Sequence, residues 1–185
     1  ITLPAVAFTQ YTQTGAIELE FLTIDNPVSV LVCGDSTTQG FGYGAGLEHT
    51  SGWALSINAQ KALNKKIEMI NMGNGSTQSA IYTQNGLTAI ASMLPTVAVL
   101  QVGSVNDPDA YSTSWLARTV KDAETWVRTC RQNGVIPALR TMNPRDTVTG
   151  VSETARLLQV NTVKAMAALW GVDVIDSSLA LTNAG

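Results

Sequence analysis

Val28-Ser29-Val30-Leu31-Val32-Cys33-Gly34-Asp35-Ser36-Thr37-Thr38-Gln39-Gly40 is the stretch on which the fold turns. Val28–Cys33 is apolar except at Ser29, with no alternation of apolar and polar residues. Such a run suits a parallel strand covered on both faces. It breaks at once into a polar loop between Gly34 and Gly40. A serine on a sharp strand-to-helix turn presents its hydroxyl at the top of the sheet, and glycine gives the backbone the freedom such a turn needs. Helix-end amides nearby can hold a developing oxyanion. The plainer reading of the same residues is a serine N-cap with Asp35 in a turn.

Working outward, the same unit recurs. Strands are predicted at Val28–Cys33, Ile67–Met72, Val97–Val102, Val135–Arg140 and Val172–Asp176. Helical stretches are predicted over roughly Gly52–Lys66, Gln84–Met93, Ser114–Asn133 and Glu153–Trp170. In the last of these, Ala155, Leu158, Val163, Met166 and Leu169 recur at near-helical spacing, which assigns that face to the core. Gly134 and Gly171 fall where helix C-caps belong. Alternating strands and helices with right-handed crossovers give an α/β fold, an open three-layer α/β/α sandwich on a five-stranded parallel sheet. Ile1–Asn26 alternates loosely before Pro27, so residues 1–27 read as a short β lead-in or the end of a preceding β-domain.

Composition narrows the function classes. A chain of 185 residues fits one domain with a core of its own. A hydrophobic fraction of 45% and a charged fraction of 14% describe a globular protein. The net charge of −3 and the lack of clustered Lys and Arg argue against a nucleic-acid partner. No apolar run is long enough for a membrane span. Cys33 and Cys130 make no disulfide framework and read as two buried free thiols. The first residue is not Met, so a processed, trimmed or engineered end is expected. Low charge and abundant Thr, Ser, Asn and Gln suit a secreted or phage-particle protein, with a cytoplasmic one left open.

Ligands of open α/β sheets sit outside the carboxyl ends of the strands. Two further loops end there. Asn71-Met72-Gly73-Asn74-Gly75-Ser76-Thr77 follows the second strand, and glycine there lets a backbone N–H approach a ligand. Gly103-Ser104-Val105-Asn106-Asp107-Pro108 follows the third, and a side-chain amide there can donate to an oxyanion. Either loop taken alone is also ordinary turn chemistry. The conjunction of three at one sheet edge is far more specific.

The three loops together resemble the GDSL/SGNH hydrolases over roughly Val28 to Asp176. Gly34-Asp35-Ser36 matches the nucleophile block, Asn71–Gly75 resembles the glycine block, and Asn106-Asp107 resembles the Asn block. Gly52-Trp53-Ala54 resembles the start of the first helix in many members. The resemblance implies a flavodoxin-like fold and a serine esterase without a cofactor. Ser36 would attack an ester carbonyl. The oxyanion hole would be the Ser36 N–H, the Gly75 N–H and the Asn106 side chain, with Gly73 the alternative for Gly75 because this loop is one residue shorter than usual. The substrate would be a small-molecule or carbohydrate ester, plausibly an O-acetyl group.

Two departures stand out. Ser104 occupies the place of the usual Gly in the Asn block. The family's Asp-x-x-His is not found among residues 1–185, so residues 28–185 are expected to be an SGNH domain lacking that C-terminal segment. The sole histidine is His49, in a loop after the nucleophile; it is the alternative base, or a solvated loop residue. One His and two separated Cys leave no zinc pattern, and Asp107 with Asp109 lacks calcium-loop spacing, so no metal is expected. The Trp residues at 53, 115, 126 and 170 read as packing residues, with Trp115 the one placed to line a cleft. Two other function classes stay open: a binding domain that kept the loops without the base, and a structural part of a phage or cell-surface particle. Oligomeric state is not legible.

Overall fold

A computed structural model describes residues 28–39, 66–142 and 150–177. The β lead-in, His49 and the helix expected over Gly52–Lys66 lie outside these residues, except for Lys66, which is not helical and whose carbonyl accepts from Val28 N–H. In chain order the elements are β1 (Val28–Gly34), α1 (Ser36–Gln39), β2 (Ile67–Gly73), α2 (Ser79–Met93) and β3 (Val97–Gln101). Then follow α3 (Thr113–Gln132), β4 (Ile136–Arg140), α4 (Gly150–Trp170) and β5 (Asp173–Ile175). The five strands form one sheet in the order β2-β1-β3-β4-β5, every neighbouring pair parallel. This is the flavodoxin-like order, whose strand sequence reverses between β1 and β3. Register aligns Gly34 with Gly73 and Cys33 with Leu100, so the loops after β1, β2 and β3 leave the sheet side by side.

Strand alternation divides the side chains between two faces. Leu31, Cys33, Ala98, Leu100 and Leu139 form one buried cluster with Tyr82 and Ile90 of α2, Ala123 and Trp126 of α3, and Val163 and Ala167 of α4. Both thiols are buried and free, as the sequence predicts. Burial pushes Cys33 and Cys130 up to about 12, so neither is a thiolate at neutral pH. Trp115 and Trp126 are fully buried, which makes Trp115 a core residue and no cleft wall. Among the described residues, no helix is long and apolar enough to cross a membrane.

Differences from the sequence reading have local causes. Helix α2 begins at Ser79, five residues before the predicted Gln84, because its first-turn amide is capped from afar: Ser79 N–H donates to Asp107 Oδ1 at 2.7 Å. Helix α3 has a local cap, with Ser112 Oγ accepting from Trp115 N–H at 3.1 Å, and starts within one residue of expectation. Strands β4 and β5 start a residue late because the preceding amides close helices. Val135 N–H bonds to Cys130 O and Val172 N–H to Ala167 O, both at 2.9 Å, across Gly134 and Gly171 at φ +71° and +62°.

The face assigned to α4 is corrected. Leu158 and Leu169 are 55% and 80% exposed, whereas Arg156, Gln159, Val160, Val163 and Ala167 are buried. The inward stripe keeps Val163 of the predicted face and otherwise runs one position on, through Arg156, Gln159 and Ala167. Two of its members are polar, so a count of aliphatics passed over them. Gln159 belongs inside because its Nε2 donates to Val102 O at 2.8 Å, satisfying a carbonyl just past β3. Arg156 is held there by two bonds to Glu153, at 2.7 and 2.6 Å.

Asp122 on α3 has a buried Oδ2 with no hydrogen-bond partner among the described residues. Burial raises its pKa, opposed by Arg118 and assisted by Asp107. A carboxyl group raised in the folded state costs stability above its ordinary titration range and nothing below it, where both states are protonated. Asp122→Asn is therefore expected to stabilise the protein by about 0.5 kcal/mol at neutral pH. The gain should disappear as pH falls below the usual carboxyl range. Urea denaturation of both proteins at several pH values measures this; an Asn variant less stable at neutral pH contradicts it.

Candidate active site

Ser36 is the first residue of α1, placed there by the carboxylate before it. Asp35 Oδ1 accepts from Thr37 N–H at 2.9 Å and Thr37 Oγ1 at 2.8 Å, and Asp35 O accepts from the amides of Thr38 and Gln39 at 3.0 Å. Asp35 is thus the N-cap, and Ser36 sits where a helical N–H has no intrahelical partner. Below the turn, buried Gln101 accepts both neighbouring hydroxyls, Thr37 Oγ1 at 3.0 Å and Thr38 Oγ1 at 2.8 Å. Arg140 adds a bond from its Nη1 to Thr38 Oγ1 at 3.1 Å. The turn is therefore clamped on every side while the Ser36 hydroxyl holds no partner among the described residues.

The glycine loop closes against this turn. A Cβ on Gly73 would lie 2.2 Å from Gln39 N, so only glycine admits α1 so close to the end of β2. The Gly73 N–H is consumed inside its own loop by Asn71 Oδ1 at 2.9 Å, and Asn71 Nδ2 reaches Thr38 O at 3.1 Å. Gly75 is the glycine beside the nucleophile: a Cβ there would lie 3.9 Å from Ser36 Cβ. Its N–H donates to Gln39 Oε1 at 2.8 Å. Of the two glycines weighed from the sequence, Gly75 lies beside Ser36 and Gly73 packs against Gln39, and both amides donate to side-chain oxygens of the protein.

The third loop is tied to both others. Ser104, fully buried, donates its hydroxyl to Asp35 Oδ2 at 2.8 Å and accepts Asn106 N–H at 3.1 Å. Asn106 Nδ2 donates to Thr77 O at 3.3 Å, two residues beyond Gly75. Beneath them, Asp107 is 5% exposed. Its carboxylate accepts from Ser79 N–H, Ser79 Oγ, Ser104 N–H and Trp115 Nε1 at 2.7–3.1 Å. Arg118 lies 3.6 Å from it and also pairs with Asp109. Both aspartates are thereby spent on protein groups, and no cluster of potential metal ligands occurs among the described residues. Tyr82 donates to Gly103 O at 2.9 Å. Burial, reinforced by the charges of Asp35, Asp107 and Asp122, holds its phenol well above its usual pKa, so this bond persists across the working pH range.

Ser36 and Gly75 thus lie side by side at the carboxyl ends of β1 and β2, and Asn106, in the loop after β3, is tied to the same loops through Thr77 and Ser104, where strand order reverses. Several solved structures share this arrangement of chain. A lipase/acylhydrolase from Enterococcus faecalis superposes with a TM-score of 0.67 at 20% identity, over 83% of this chain and 78% of that one. A protein assigned to the G-D-S-L lipolytic family, from Desulfitobacterium hafniense, gives 0.62 at 21% identity, over 80% and 77%. AlinE4, an SGNH-hydrolase family esterase, gives 0.63 at 15% identity, over 83% and 77%. The chain has the SGNH-hydrolase fold. No sequence family matches it, and no curated protein does.

Within the SGNH fold the departures noted from the sequence acquire reasons. Ser104 stands in the Gly place because its hydroxyl bridges the nucleophile block and the Asn block, which a glycine cannot do. Its partner Asp35 lies 69 positions away, so the loop sequence itself gives no sign of the pairing. Gln39 and Gln101 were also missed. For Gln101 a signal existed: it is the one polar residue in the apolar run Val97–Gln101. For Gln39 there was none. His49 lies outside the described residues, and those residues contain no histidine.

Proposed function

We propose that this protein is a serine esterase that hydrolyses short acyl esters through an acyl-enzyme on Ser36. The observation that carries the reading is the Ser36 hydroxyl, unengaged on a rigidly capped turn, beside the Gly75 amide. Solved structures of the same fold described as esterases and acylhydrolases support the reaction class. Ser36 Oγ attacks the carbonyl carbon and loses its proton to a base. The carbonyl oxygen becomes an oxyanion held by the amides of Ser36 and Gly75 and by Asn106 Nδ2. Collapse expels the alcohol, which takes the proton from the base, and water then releases the acid by the same steps in reverse order. The base is an imidazole: His49, or the histidine of the Asp-x-x-His that the resemblance implies. Asp35 is not a candidate, because three donors already occupy its carboxylate. The acyl group is small, and O-acetyl groups on carbohydrates are the favoured substrates by analogy alone.

Asn106→Ala tests the hole. It is expected to lower kcat for p-nitrophenyl acetate by roughly 10²- to 10³-fold, with a small effect on KM. An unchanged kcat contradicts the assignment. The alternative is a binding domain that kept the SGNH loops without a base. In that case the wild-type chain turns over no ester, and both Asn106→Ala and Ser36→Ala are without catalytic consequence.

A further inference from the structure

The Gly75 amide is already occupied, by the carboxamide oxygen of Gln39 at 2.8 Å. That oxygen lies 3.0 Å from the point where a Cβ on Gly75 would stand, and Ser36 Cβ lies 3.9 Å from the same point. Gln39 is the last residue of α1, and its own backbone amide is fixed to Asp35 O at 3.0 Å. The side chain therefore reaches Gly75 from a fixed backbone position. Among the described residues, the β2–α1 contact is made by Gly73 through backbone atoms, without the Gln39 side chain. We propose that Gln39 is a displaceable plug, an internal carbonyl seated on the Gly75 leg of the oxyanion hole until the substrate takes its place. The inference rests on the esterase reading and deepens it.

The plug discriminates by charge. An amide oxygen is a better acceptor than an ester carbonyl, so a neutral ester gains nothing by displacing Gln39. The oxyanion formed after Ser36 attacks is a different competitor, because charge-assisted hydrogen bonds are roughly twice as strong as neutral ones. The exchange is thus favourable only as the tetrahedral species forms. This selects acyl groups small enough to share the site with the displaced Gln39 side chain, and it disfavours resting occupation by neutral esters.

Two substitutions at this position separate a plug from a structural strut. Gln39→Met keeps the length of the side chain and removes the strong acceptor. Gln39→Glu keeps the acceptor and adds a negative charge beside the developing oxyanion. A plug predicts that kcat/KM for p-nitrophenyl acetate rises roughly 2- to 10-fold in Gln39→Met, the size of one neutral hydrogen bond. It predicts a fall of about tenfold or more in Gln39→Glu. A strut predicts loss in both, and that result overturns the proposal. A second readout does not need turnover. The Gly75 amide resonance of the full chain should be protected from hydrogen exchange in the wild type and exposed in Gln39→Met; equal exchange in the two also overturns it. If the wild type hydrolyses no ester, the esterase reading fails, and the Gly75 exchange measurement still decides whether the amide is plugged.

Discussion

Ser36→Ala is expected to lower ester turnover by about 10⁴- to 10⁶-fold, the usual consequence of removing an enzymic nucleophile. The same substitution should leave stability within about 0.5 kcal/mol of the wild type. The two halves of this expectation come from one fact: the Ser36 hydroxyl has no partner among the described residues. The turn is held by Asp35, Gln101 and Gly73 instead. Losing the hydroxyl removes the attacking atom and breaks no structural bond. The remaining hydroxyls nearby cannot substitute. Thr37 and Thr38 both donate to Gln101 Oε1, and Ser104 donates to Asp35. Initial rates on p-nitrophenyl acetate and a thermal melt of both proteins check the expectation together. Turnover that survives in Ser36→Ala would remove Ser36 from the mechanism.

Asp107→Ala should be the most damaging single change to the fold of the site, with a loss of about 3–5 kcal/mol. The cost is not that of one hydrogen bond. Asp107 closes four of them, and the groups left behind are buried: the amides of Ser79 and Ser104 and the indole N–H of fully buried Trp115. Each orphaned donor carries a desolvation penalty of its own. The Ser79 amide begins α2, so that helix would fray at its first turn. Asp107→Asn should fall between, at about 2 kcal/mol, because its NH₂ can meet donors where a carboxylate met them with oxygen. Urea denaturation gives both values. A loss below about 1 kcal/mol for the alanine variant would mean that Asp107 does not organise the site.

Much of this was legible in the sequence because the relevant signals are local. Short, largely apolar runs mark β1 to β4, glycines at 134 and 171 mark helix ends, and Gly-Asp-Ser after β1 marks the turn. The parts that were not legible depend on partners far apart in the chain. The start of α2 is set by a carboxylate 28 positions downstream. The wall face of α4 contains Arg156 and Gln159, held inward by a neighbouring glutamate and by the Val102 carbonyl. A hydrophobic count passes over both. The roles of Ser104, Gln101 and Gln39 follow from contacts spanning 69, 63 and 36 positions, which no spacing rule anticipates. Which of Gly73 and Gly75 lies beside Ser36 likewise depends on how the loops pack against each other.

The most direct test of the central claim is covalent. The chain is treated with a fluorophosphonate probe and the adduct is located by mass spectrometry, with Ser36→Ala as the control. An activated nucleophile in an oxyanion hole predicts a single adduct on Ser36, absent from the alanine variant. No adduct, or labelling that persists in Ser36→Ala, would contradict the claim that Ser36, Gly75 and Asn106 form an ester-hydrolysing site.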